Sequence, residues 1–242
     1  MHPLKKIFQK LTGYWIFKIE TLPVGADFFV DVCKKIGYPA MDTIFDVGAN
    51  VGQTVEWLRG GEPFAKIYCF EPVSTTFKEL VNKKGGDKNC IFEQLALGDT
   101  ENEVVIKVFE GRSGWNSLRP DLMNNDANGR KEVVKETTLD AYCKKNNIKR
   151  IDLLKIDTEG FELNVLEGAK EMIKENGISM IYAEVGFQSM NPRNTNFARL
   201  SEWLDKNNFY FLGLYQLWGA EWHLGKYFGN ALFVHKDIFK FK

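Results

Sequence analysis

A short apolar run that flows directly into glycines constrains this chain more than any other feature. Thr43-Ile44-Phe45-Asp46-Val47 has the β-branched and aromatic composition of a strand, and it passes without a spacer into Gly48-Ala49-Asn50-Val51-Gly52. Gln53 to Arg59 then has helical composition and stops at Gly60-Gly61. The order is strand, tight glycine loop, helix. Such a loop brings bare backbone close to a ligand and aims the free N–H groups of a helix N-terminus at it. A small-molecule cofactor is the first expectation.

Spacing separates the candidate cofactors. A dinucleotide fingerprint needs glycines at 48, 50 and 53, but Asn50 and Gln53 occupy the last two. A Walker A loop needs Lys followed by Ser or Thr, a pair the chain lacks. What remains is D-x-G-x-N-x-G with an acid inside the strand end. Further on, Ala65 to Phe70 reads as the next strand and ends in Glu71-Pro72. A carboxylate there can accept two charge-assisted hydrogen bonds from a ribose diol. Loop and carboxylate together outline a nucleoside site.

The sequence here resembles the Rossmann-like S-adenosylmethionine-dependent methyltransferases, and more narrowly the FkbM family. The strings FDVGANVGQT, CFEPVSTTF, LALGD, TTLDAYC and IDLLKIDTEGFELNVLEGA carry the likeness, in that order, over roughly residues 41 to 190. The resemblance implies an α/β fold with a mostly parallel seven-stranded sheet, helices on both faces and S-adenosylmethionine as cofactor. On that reading the backbone of Gly48, Ala49 and Gly52 receives the cofactor's carboxylate, and Asp46 or Asn50 lies near its amino group. Glu71, with Pro72 behind it, binds the ribose. Ala96 and Leu97, in a turn over residues 95–99 that ends the third strand, lie along the adenine.

Alternation from Thr43 onward supports the α/β class. Strands are expected at 43–47, 66–70, 91–95, 103–109, 151–156, 178–185, 209–214 and 230–235. Helices are expected at 52–59, 75–83, 138–146, 161–175 and 196–207. A single compact domain over 41–242, preceded by a helical appendage over 1–40, suits the length. The irregular stretch Gly111 to Glu132 is long enough to expect a lid or acceptor-binding loop.

The string Lys155-Ile156-Asp157-Thr158-Glu159-Gly160 closes the fourth strand of the expected parallel sheet, at the end where open α/β sheets bind ligands. Alternation puts Lys155, Asp157 and Glu159 on one side if the strand stays extended. Methyl transfer to oxygen needs alignment and removal of a hydroxyl proton. Asp157 and Glu159 are the expected bases, Glu184 the next, and an ion-pair cluster with Lys155 is the structural alternative. The same three acids could ligate magnesium, but the chain has no His pair at ligand spacing and no metal is expected. Asp-Thr-Glu-Gly also stands where amine methyltransferases often carry Asp/Asn-Pro-Pro-Tyr, which favours a hydroxyl acceptor on a sugar, glycan or secondary metabolite. Ser113, Trp115, Asn116 and Ser117, with Tyr215, Trp218, Trp222 and His223 later, are expected to choose that acceptor.

Composition sets the remaining bounds. Thirty-two acids balance thirty-two bases, so nothing pulls the chain generally toward nucleic acid. Cys33, Cys69, Cys90 and Cys143 form no C-x-x-C spacing, and free thiols in a reducing cytoplasm are expected. At the N-terminus Leu4, Ile7, Phe8, Leu11 and Trp15 fall on one helical face and Lys5, Lys6 and Lys10 on the other. The ordinary expectation is a helix docked on the domain or covering the site; the sharper one is peripheral contact with an anionic membrane through residues 1–20. An RNA or protein methyltransferase, a nicotinamide-dependent oxidoreductase and a non-catalytic partner protein are the alternative classes.

Overall fold

The computed structural model describes residues 3–14, 16–109, 111, 113, 116–118, 129–188, 193–218 and 228–238, with the side chains of all of these except 3, 4 and 218. Ten strands run in chain order: β1 Thr43–Val47, β2 Lys66–Phe70, β3 Cys90–Glu93, β4 Ala96–Gly98, β5 Glu103–Val108, β6 Arg130–Thr138, β7 Ile151–Ile156, β8 Ile178–Gly186, β9 Phe209–Trp218 and β10 Phe228–His235. The helices are α1 Pro3–Thr12, α2 Gln53–Gly61, α3 Ser74–Lys84, α4 Leu139–Asn146, α5 Glu162–Glu167, α6 Lys170–Lys174 and α7 Phe197–Lys206.

Seven strands form one sheet in the order β3-β2-β1-β7-β8-β10-β9. The first five are parallel neighbours, and β10 runs antiparallel between β8 and β9. This is the mostly parallel, Rossmann-like sheet that the resemblance implies. Strands covered on both faces are mostly apolar, and every residue of β7 is buried, Asp152 and Lys155 included. On β1, Phe45 and Val47 pack with α4, α5, α6 and α7, whereas Ile44 packs with α2, α3 and the segment around Phe28 and Val32.

Four expectations about the elements need correction. Glu103–Val108 is a strand, but it leaves the main sheet and joins a second sheet of order β4-β6-β5. The turn expected to end the third strand is instead β4 of that sheet. Arg130–Thr138, of which only the first three residues fell in the expected irregular stretch and 133–137 were given no element, is its central strand. One face of β6 is solvated, so its buried side reduces to Val134 and Glu136 and no apolar run announces it. Finally, the helix expected over 161–175 is divided at Gly168. A Cβ there would lie 1.9 Å from the Gly98 carbonyl oxygen, so β4 crosses the helix where only glycine fits.

The N-terminal segment is joined to the sheet through a seven-residue π-helix, Val30–Ile36, which Gly37 ends in the left-handed conformation. Asp31 within it is fully buried and accepts hydrogen bonds from Gly25 N at 2.7 Å and Tyr215 Oη at 2.8 Å. Tyr215, expected to help choose the acceptor, is therefore an internal tie between this segment and β9. Among the described helices none is long and apolar enough to cross a membrane.

Candidate active site

Strand order reverses between β1 and β7, and the ends of these two strands meet there. Gly48 N and Ala49 N both donate to the Phe70 carbonyl at 3.0 Å, and Asp157 N donates to the Val47 carbonyl at 3.0 Å. Gly48 has φ 79, and a Cβ on it would lie 1.9 Å from the Asp157 carbonyl oxygen. Gly52 has φ 90, and its Cβ would meet the Lys84 side chain at 2.7 Å. Both glycines are thus required by neighbouring parts of the fold. Gly48, Ala49 and Asn50 line a cavity of about 340 Å³, and Gly52 does not.

Glu71 lines the same cavity at the end of β2, next to Pro72. Its carboxylate accepts Asn50 N at 3.1 Å and Val73 N at 3.0 Å, so it fixes the loop from the neighbouring strand end. Burial pushes Glu71 up to about 7 against the pull of those two donors. Asn50 holds a left-handed backbone at φ 48, and its Oδ1 is buried with no hydrogen-bond partner among the described residues. An orphaned acceptor in a cavity wall is costly unless a ligand satisfies it. The opposite wall includes Leu95, Ala96 and Leu97.

Asp46 is fully buried and does not line the cavity. Its only ion-pair partner among the described residues is Lys155, 3.2 Å from Oδ1 in a geometry that makes no good hydrogen bond. Burial pushes Asp46 up, and Lys155 opposes it. For Lys155 burial alone disfavours the ammonium, but Asp157 and Asp46 override it and hold the group above its ordinary range. Lys155 is thus a fixed cation between two carboxylates, with Asp157 Oδ2 at 3.3 Å.

The chain does not stay extended after β7. Glu159 adopts φ 54 and Gly160 φ 95, and this tight turn still leaves Lys155, Asp157 and Glu159 on the cavity with Glu184 of β8. Oxygens of Asp157, Glu159 and Glu184 lie within 4.8 Å of one another, close enough to hold a divalent cation. Burial, then the Asp157 and Glu162 carboxylates, push Glu159 up to about 8. Burial, then Asp157 and Glu159, push Glu184 up to about 10. At neutral pH Glu184 keeps its proton, and Glu159 titrates close to the working range.

Glu162, fully buried in the first turn of α5, builds this arrangement. Its Oε1 accepts Thr158 N at 2.9 Å, Thr158 Oγ1 at 3.1 Å and Gly160 N at 3.2 Å, and its Oε2 accepts the Thr195 hydroxyl. Ser117 Oγ donates to the Glu159 carbonyl at 2.9 Å from the other side. Of the expected acceptor residues, Ser113, Asn116 and Ser117 line the cavity. Asn116 Oδ1 also accepts Phe109 N at 2.9 Å, which anchors the loop to the end of β5. Trp115, Trp222 and His223 lie outside the described residues, as does the side chain of Trp218.

Comparison with known proteins decides the family. The model of the methyltransferase FkbM domain matches residues 46–211, from inside β1 to β9. The chain belongs to the FkbM methyltransferase family. Methyltransferase sdnD of Sordaria araneosa is 28% identical over 194 residues, covering 67% of this chain and 74% of that protein. 2-O-methyltransferase NoeI of Sinorhizobium fredii is 24% identical over 161 residues, covering 61% of this chain and 64% of its own length. Among solved structures, a Burkholderia thailandensis 1,6-didemethyltoxoflavin-N1-methyltransferase with bound S-adenosylhomocysteine has TM-score 0.47 and 10% identity, covering 86% and 76% of the two chains.

Within the FkbM domain, sequence reasoning missed several residues on the cavity. Gln53, Thr54 and Trp57 of α2 line it, and positions 53, 54 and 57 share one helical face directly after the glycine loop. Tyr182 precedes Glu184 by one strand period and stacks on Trp57 with ring centroids 5.4 Å apart. Those two periodicities were signals. Gln216 and Asn230 carry none: they meet only through pairing of β9 with β10, where Asn230 Nδ2 donates to Gln216 Oε1 at 3.1 Å.

Proposed function

We propose that this methyltransferase binds S-adenosylmethionine in the cavity beside the 48–52 loop and methylates a hydroxyl of a sugar, glycan or secondary metabolite. One observation carries the reading: a single cavity joins the loop and Glu71 on one side to the acids of β7 and β8 on the other. When bound, the cofactor supplies an electrophilic methyl group whose departing thioether is neutral. Asn50 Oδ1, without a hydrogen-bond partner among the described residues, suits an ammonium. Each Glu71 oxygen accepts one backbone N–H and retains capacity for a ribose hydroxyl.

The remaining task is the proton on the acceptor. Glu159 takes it, because a base poised near the working pH combines availability with driving force. Glu184 is pushed higher still, to about 10, which favours Glu159 over it as the group that changes state. Lys155 already supplies a fixed positive charge beside Asp157, so the assignment needs no divalent cation. Oxygen as acceptor is supported by Asp157-Thr158-Glu159-Gly160 in place of a Pro-Pro-Tyr string, and the Sinorhizobium fredii relative is named a 2-O-methyltransferase. Ser113 and Asn116 face that acceptor, and Trp115, Trp218, Trp222 and His223 belong to the same proposal through the sequence.

The test is label transfer from methyl-labelled S-adenosylmethionine to a panel of hydroxylated sugars and metabolites, with RNA, protein and EDTA arms. The expected product is an alkali-stable methyl ether formed equally well in EDTA. Transfer to nitrogen, RNA or protein would overturn the acceptor class. Loss of turnover in EDTA, restored by magnesium, would overturn the metal-free assignment.

A further inference from the structure

The apolar face of helix α1 is exposed. Ile7 is 55% exposed, Phe8 41% and Leu11 80%, whereas Gln9 on the polar side is partly covered. The expectation that this face docks on the domain therefore does not hold for these three residues. The helix is ended by Gly13, at φ 75, whose N–H bonds the Gln9 carbonyl at 2.8 Å. Exposed apolar side chains continue past that cap: Tyr14 is 72% exposed, Ile16 50% and Ile19 56%.

A ten-residue helix is marginal in water, and burial of an amphipathic face is what ordinarily stabilises one. This face has no cover among the described residues. Charge identifies the cover. Lys5, Lys6, Lys10 and Lys18 precede Glu20, which is the first acid in the sequence. A surface that is negative at its edge and apolar just beneath matches both faces at once.

We propose that helix α1, with residues 13–14 and 16–19 after it, lies on an anionic lipid bilayer as an interfacial helix and tail. The apolar side chains of α1 enter the acyl boundary, the lysines stay at headgroup level, and Tyr14 sits at the interface, where amphipathic rings collect. Ile7, Phe8 and Leu11 are already exposed, so contact with the bilayer need not uncover them.

The test uses the full chain with vesicles of phosphatidylcholine alone and vesicles containing about 30% phosphatidylglycerol, read by co-sedimentation. Binding is expected only with the anionic vesicles, and it should fall about tenfold in 0.5 M salt as the lysine attraction is screened. Ile7→Asp/Leu11→Asp should lose it at low salt as well, whereas Lys5→Glu/Lys6→Glu/Lys10→Glu should lose it while remaining monomeric by light scattering. Failure of the unmodified chain to sediment with anionic vesicles would overturn the proposal. So would a dimer that dissociates in Ile7→Asp/Leu11→Asp, since a second copy would then be what covers the face.

Discussion

Glu159→Gln is expected to lower turnover by about 10²–10⁴-fold, the usual range for removing a positioned general base. Gln keeps the length and shape of the side chain, and the left-handed turn that carries it is held by Glu162 and Ser117 through backbone groups. Cofactor binding should therefore survive. In the unmodified protein the rate should rise with pH and level off above about 8, where Glu159 gives up its proton. Glu159→Gln should flatten that rise. Stability moves the other way. A carboxyl whose folded pKa is raised binds its proton more tightly in the native state, so its effect on stability turns unfavourable as pH climbs from the unfolded value toward about 8. Melting of Glu159→Gln at pH 8 should thus be no lower than that of the parent, separating lost chemistry from lost folding. A variant that keeps full turnover across the pH range would remove Glu159 from the mechanism.

Lys155→Met carries the second large effect, and it acts on the fold. It leaves Asp46 fully buried with no cation beside it, and breaking a buried pair by removing one partner costs about 3–5 kcal/mol. Without Lys155 the Asp46 carboxyl is pushed higher still, because the charge that opposed its burial is gone. Because the unfolded carboxyl ionises near its ordinary value, the variant's deficit should grow as pH rises from 5 to 8. Adding Asp46→Asn should recover much of the loss, since it removes the stranded charge. Urea unfolding at the two pH values reads both effects. A Lys155→Met protein as stable as the parent at pH 8 would mean that the buried pair contributes nothing.

How far the sequence could be read follows from where each signal arises. The expected bounds of β1, β2 and β7 match the structure because burial on both faces forces a mostly apolar run in each. The path of β6 was hidden by its solvated face, and the break at Gly168 by a crossing strand that lies far away in sequence. At the site, Lys155, Asp157, Glu159 and Glu184 do converge on one cavity, although through a turn and not the extended strand that alternation assumed. Asp46 and Glu162 show what local reading misses. Nothing in the string distinguishes an acid that faces a ligand from one that props the backbone of the turn beside it.

Calorimetric titration tests most directly whether the loop from Gly48 to Gly52 and Glu71 form a cofactor site. The purified protein would be titrated with S-adenosylmethionine, S-adenosylhomocysteine, NADH and ATP, with Glu71→Ala in parallel. Micromolar binding of the first two alone, lost in Glu71→Ala while the variant stays folded, is the predicted result. Binding of NADH in their place, or undiminished S-adenosylmethionine binding by Glu71→Ala, would contradict it.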